Sequence, residues 1–284
     1  MKPLLPTCFQ LASRLSLLIL FFWIIILPEP LLAKHKSKRP PLGWLRTHHA
    51  GESPLLKAIE DKDLEKTETL IQQGTDVNEV SSSRTPLIVA SAMGFTDAMN
   101  MLLEHGAKVN LKANKEWSAL LAAVHEQQSD AVSLLLTHKA NPNDADRTSQ
   151  TALMDAVRSE DKNIVQMLLD AGAQVNTQRN DGWSALLIAI WIGNRNLTEN
   201  LLNRGADVNQ HTITGTTALM LAAESGDEAL VKLLLEKGAD PRATDRNAQT
   251  AFKIAQASKH QQIINLLQKA YAQQAKSNGN KAQQ

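Results

Sequence analysis

From residue 53 onward, apolar and polar positions follow one another in a pattern that returns at a fixed interval. One phrase marks each copy: SPLLKA, TPLIVA, SALLAA, TALMDA, SALLIA, TALMLA and TAFKIA, opening at Ser53, Thr85, Ser118, Thr151, Ser184, Thr217 and Thr250. The openings are 32 residues apart once and 33 apart five times, a period that predicts stacked units, each burying its apolar face against its neighbours. The sixth position is alanine in every copy (Ala58, Ala90, Ala123, Ala156, Ala189, Ala222, Ala255), which implies close helix approach there. Apolar pairs recur further on, Leu102 with Leu103, Leu135 with Leu136, Leu168 with Leu169, Leu201 with Leu202 and Leu234 with Leu235. With Met99, Val132, Val165 and Val231 one turn earlier, they form the buried stripe of a second helix.

Stop signals follow on schedule. Gly74, Gly106, Gly172, Gly205 and Gly238 sit just past the second helix, where the chain commonly takes a positive φ that glycine adopts without strain. TDVN, AKVN, AQVN and ADVN, ending at Asn78, Asn110, Asn176 and Asn209, then read as polar turns into the next unit. The unit is therefore helix, turn, helix, extended loop.

This pattern resembles the ankyrin repeat, whose consensus has a T-P-L-H-x-A opening, a paired leucine and a G-A-D-V-N close. The resemblance covers residues 53–270 and implies an all-α ankyrin-repeat solenoid of seven helix-turn-helix units joined by β-turns and extended loops. Three departures matter. Proline is kept only at Pro54 and Pro86. The family histidine is replaced by Leu56, Ile88, Leu121, Met154, Leu187, Met220 and Lys253, so the hydrogen bonds it supplies between repeats must be made otherwise or not at all. Lys139 stands where glycine is expected, which predicts a strained or differently shaped turn. At the ends, Lys66 and Thr67 in the first copy and Lys253 and Gln268 in the last replace apolar residues, as terminal units that meet water require.

The segments flanking the array differ in character. Residues 15–27 (LSLLILFFWIIIL) are apolar, follow Lys2 and Arg14, and precede Pro28, Pro30 and LLA ending at Ala33. Residues 1–33 thus read as a cleaved signal peptide, the apolar run being shorter than the roughly 20 residues a membrane span needs. KHKSKR at 34–39 supports the alternative of an uncleaved inner-membrane anchor, because a basic cluster there hinders translocation. Periplasmic or secreted localisation is the first expectation, and the resemblance also allows a secreted effector that binds host proteins. Residues 34–52 read as a basic flexible linker, which is a solvated spacer, a contact to anionic lipid or polyanion, or simply the stretch that follows the signal, and residues 271–284 read as a disordered polar tail.

Composition then excludes several functions. A formal charge of +1 leaves no overall footprint for nucleic acid. The single cysteine, Cys8, precedes the apolar core of the signal, so the mature chain offers no disulfide or thiolate site. No phosphate-binding glycine loop occurs, and His125-Glu126 lacks the second histidine of a zinc-protease motif, its position being Ser129. His48, His49 and His35 read as exposed linker residues rather than metal ligands. Asp and Glu are expected on outward faces without a convergent pair. Neither cofactor nor catalysis is expected. The sequon at Asn196 falls in a helix with Thr198 buried.

The resemblance implies a protein partner, held at the loop tip before each opening and at the exposed end of the first helix. These columns hold Arg84, Trp117, Gln150, Trp183, Thr216 and Gln249, and then Glu60, Ala92, His125, Arg158, Trp191, Glu224 and Ala257. Trp117, His125, Arg158, Trp183, Trp191 and the neighbouring Ile192 are the expected contact set of a monomeric scaffold, Trp and Arg being enriched at hot spots. The competing reading is that each indole packs onto a neighbouring loop or helix and serves only the stack.

Overall fold

Each unit starts with a Ser or Thr because its hydroxyl accepts a backbone N–H that the first helical turn leaves without a partner. Ser118, Thr151 and Thr217 each accept from the amide three residues on, Leu121, Met154 and Met220, at 3.3 Å. Ser53, Thr85, Ser184 and Thr250 cap in the same manner. The computed structural model describes residues 53–281 apart from residue 82 and residues 114–116, with side chains to residue 274. The expected signal or anchor and the basic linker lie outside the described residues.

The helices come in seven pairs: α1 (Pro54–Glu60) and α2 (Leu64–Gln72), α3 (Pro86–Ala92) and α4 (Thr96–Glu104), α5 (Ala119–His125) and α6 (Ser129–Thr137), α7 (Ala152–Arg158) and α8 (Lys162–Asp170), α9 (Ala185–Trp191) and α10 (Arg195–Asn203), α11 (Ala218–Ser225) and α12 (Glu228–Glu236), α13 (Ala251–Ala257) and α14 (Gln261–Lys281). First helices lie side by side in chain order, and each also packs on its own second helix. The seven phrase alanines are 0% exposed, so any larger side chain there would force the first helices apart. Leu102, Leu135, Leu168, Leu201, Leu234 and Leu267 fill the same slot of the second helices and are also fully buried.

The glycines behave as their spacing predicts, with φ between 86° and 89° at Gly74, Gly106, Gly172, Gly205 and Gly238. Lys139 takes φ 66°, so the third turn keeps the common shape and carries the strain of a side chain in the left-handed region. One cap residue departs from expectation. Thr67 is fully buried rather than turned to water, because its hydroxyl donates to the Asp63 carbonyl at 2.7 Å; Thr198 does the same to Asn194 at 2.9 Å. Lys66, the other substituted position, is exposed as expected.

The units, which lack the family histidine of the opening phrase, are joined by their loops. Asn78 donates to the Gly106 carbonyl at 3.0 Å and accepts from the Lys108 amide at 2.7 Å. Asn110, Asn143, Asn176 and Asn209 repeat this at the next four joints, a ladder that does between units what the missing histidine does not. At the last joint Tyr271 takes over, donating to the Pro241 carbonyl at 2.8 Å and meeting Phe252 edge to face. Beyond it α14 continues to Lys281, so the polar tail expected from residue 271 is helical over most of its length. Its alanine, glutamine and lysine are strong helix formers, which outweighs the lack of an apolar stripe.

Candidate partner-binding face

The two columns singled out in the sequence meet in space. The residue before each cap ends the closing loop, held in the third unit by the Ala113–Trp117 backbone bridge, and the eighth residue ends a first helix of two turns. Trp117 and His125 stack edge to face at 5.5 Å with planes at 87°. Trp183 and Trp191 do so at 6.0 Å and 72°. Between them Arg158 donates to Gln150 at 3.4 Å. Edge-to-face pairs of this kind contribute about 0.5–1.5 kcal/mol beyond area burial.

Polar groups tie these three rows together. Gln150 Nε2 donates to Asp155 Oδ1 at 2.7 Å, while His125 Nδ1 lies 3.2 Å from Asp155 Oδ2, one unit away. Arg179 Nη1 donates to Gln150 Oε1 at 3.2 Å and its Nε to Asp181 Oδ1 at 2.9 Å. Asp181 also accepts from the Trp183 amide at 3.3 Å, which fixes the loop that presents the indole. Partial burial pushes the Asp181 carboxyl up, but the bonds from Arg179 and Trp183 and the Arg179 charge outweigh it and leave its pKa below the usual range.

The acidic residues are therefore not all on outward faces. Asp155 and Asp144 are each 7% exposed, Asp155 converging on His125 and Gln150, and Asp144 pairing with Lys112 at 3.1 Å. Asp155 had a sequence signal. It is the fifth residue of TALMDA, where the other copies carry Lys57, Val89, Ala122, Ile188, Leu221 and Ile254, and a buried polar side chain requires a partner.

Exposure separates the expected contact residues. Trp191 is 37% exposed, whereas Trp117, His125, Arg158, Trp183 and Ile192 are half-buried. Trp117, Trp183 and Ile192 also pack against the core. Ile213, at 53%, extends an apolar rim on the loop tips beyond Trp183. Its amide donates to the Asp181 carbonyl at 2.9 Å, so adjoining tips are coupled through the backbone. Among the described residues no three His, Cys, Asp or Glu side chains are grouped to hold a metal ion, and no described helix is long and apolar enough to cross a membrane.

Capped helix pairs in register, joined by an asparagine ladder and lined on one side by non-repeating side chains, define an α-helical repeat solenoid. The family model for ankyrin repeats (3 copies) matches residues 30–113, 110–179 and 186–278, and the chain belongs to the ankyrin-repeat family. Members are typically protein-binding scaffolds and generally non-catalytic. Among solved structures, the ankyrin-repeat domain of Bcl-3, described as a unique member of the IkappaB protein family, is similar with a TM-score of 0.66 and 25% identity. The match covers 78% of this chain and 100% of that one. No curated protein matches.

Proposed function

We propose that this protein is an exported scaffold that binds another protein through its concave face and loop tips, without catalysis. The observation that carries the reading is the Trp183–Trp191 pair, a large aromatic surface left 37% open at Trp191 and positioned by the Arg179–Asp181 loop. A buried core residue would not stay open, and such side chains dominate binding energy at interfaces. Export to the periplasm or beyond the cell rests on the apolar run at residues 15–27 and the small residues ending at Ala33. The basic cluster at 34–39 favours a second reading, a scaffold tethered to the inner membrane, for which intact protein would fractionate with membranes.

Replacing Trp183 and Trp191 together by Ala tests the binding face. Partners captured from an extract are expected to be lost, their Kd rising by roughly thirtyfold or more, while unfolding stays cooperative. Lower stability with unchanged capture would overturn the reading and assign both indoles to the stack.

A further inference from the structure

At the first joint, the eighth residue of one unit meets the residue before the cap of the next. These are Glu60 and Arg84, which form an ion pair with side chains 7% and 0% exposed. The same two positions at the last joint hold Glu224 and Gln249. The carboxylate is kept and the guanidinium is gone. Gln249 turns back on its own loop, its Nε2 donating to the Asn247 carbonyl at 3.4 Å. Glu224 is exposed and, among the described residues, makes no hydrogen bond or ion pair. The cations of this end leave it alone: Lys253 is held by the Ala248 carbonyl at 2.8 Å, and neither Lys259 nor Arg246 pairs with the carboxylate.

We propose that Glu224 receives an arginine side chain of the protein partner, its guanidinium lying between the carboxylate and the indole of Trp191. The inference rests on the binding reading above and names the chemistry of what is bound. Charge complementarity calls for a cation, and the first joint shows that these two positions accommodate a guanidinium against a carboxylate within this fold. The neighbourhood then selects among cations. Trp191 occupies the same position one unit earlier, on the adjacent first helix, and is 37% exposed. Its edge-to-face contact with Trp183 covers at most one of its faces. Ala257, at the same position one unit later, and Thr216, before the cap, are short side chains that leave room for a long one. Packed helices lie about 10 Å apart, enough for one planar group between an indole and a carboxylate. Arginine stacks on an aromatic face and gives a carboxylate two parallel N–H bonds, whereas a lysine ammonium offers only a point charge.

The probes are N-acetyl-Gly-Arg-Gly-amide and its citrulline, lysine and glutamate counterparts. Each is titrated into the full-length chain in mild detergent and read from the indole N–H signal of Trp191, assigned by its loss in Trp191→Phe. The arginine peptide is expected to bind about threefold or more tighter than the citrulline peptide, which has the same shape without the charge, with lysine between them. Glu224→Gln is expected to abolish that preference, and Glu224→Lys to place the glutamate peptide ahead of the arginine one. Gln249→Arg restores at the last joint the pair seen at the first. It is expected to weaken the arginine peptide as much as Glu224→Gln does, without lowering the urea midpoint. No binding of the arginine peptide, equal affinity for its citrulline counterpart, or an arginine preference that survives Glu224→Gln would overturn the proposal. Partner capture by the double tryptophan variant decides whether the face binds at all, and the peptides decide only the charge of what it takes. Capture lost in that variant alongside peptides that show no arginine preference overturns this inference alone.

Discussion

In the loops that close the units, Asn78, Asn110, Asn143, Asn176 and Asn209 each give one hydrogen bond to the next unit and take one back. On the concave columns no two units agree: an Arg84–Glu60 ion pair, a Trp117–His125 stack, a Gln150–Arg158 contact, a Trp183–Trp191 stack. The loops satisfy a demand that is the same at every joint, namely the carbonyls and amides left at helix ends. The columns meet no such demand, because the stack is already closed beneath them by the seven buried alanines. Uniformity thus marks residues that hold the array, and variety marks residues free to be selected for recognition.

That division can be broken by experiment. Asn176→Ala removes the bonds to Gly205 and from Asp207 and is expected to lower unfolding free energy by about 1–2 kcal/mol in urea titrations, leaving partner capture unchanged at temperatures where the protein is folded. Capture falling as far as in the double tryptophan variant would erase the distinction between the two regions. Lys139→Gly sharpens it from the other side. Relieving a left-handed lysine on the uniform edge should raise stability by about 1 kcal/mol, read as a higher urea midpoint, with no effect on binding.

The smallest expected effect comes from the concave loop itself. Asp181 has a folded pKa below its unfolded one, so its contribution is complete above the usual carboxylate value and is lost as pH falls through the folded value. Thermal melts should therefore show a decline on acidification below about pH 4 that is shallower in Asp181→Asn. An unchanged slope would mean that the Arg179–Asp181 pair does not stabilise the loop presenting Trp183.

The sequence made the uniform region legible and left the varied one partly hidden. Period, caps, glycines and buried leucines each depend on residues a few positions apart, which a single chain displays directly. Asn143 was harder to see because its unit ends KANPN without the valine of the others, although its register is the same. The Asp155–His125 contact joins residues 30 apart, and its geometry follows only once two units are stacked. Thr67 was misjudged because a hydroxyl reads as polar, yet its bond to a carbonyl one turn back lets it fill a valine's place. Past Tyr271, local helix preference persists where hydrophobic patterning has ended, so pattern alone predicted no structure there.

The ladder also sets how the molecule bears load. Each of the five asparagine joints is a seam whose side chain gives one bond and takes one, and nearest-neighbour coupling means that a seam fails without waiting for the others. The seams are unequal: the donor arms on either side of the third unit, Asn110 to Lys139 and Asn143 to Gly172, are 3.3 and 3.4 Å long, against 3.0 to 3.1 Å at the other three. Under tension applied at its ends, the array has a built-in place to part, beside the unit in which Lys139 stands where five other units carry the glycine that follows the second helix.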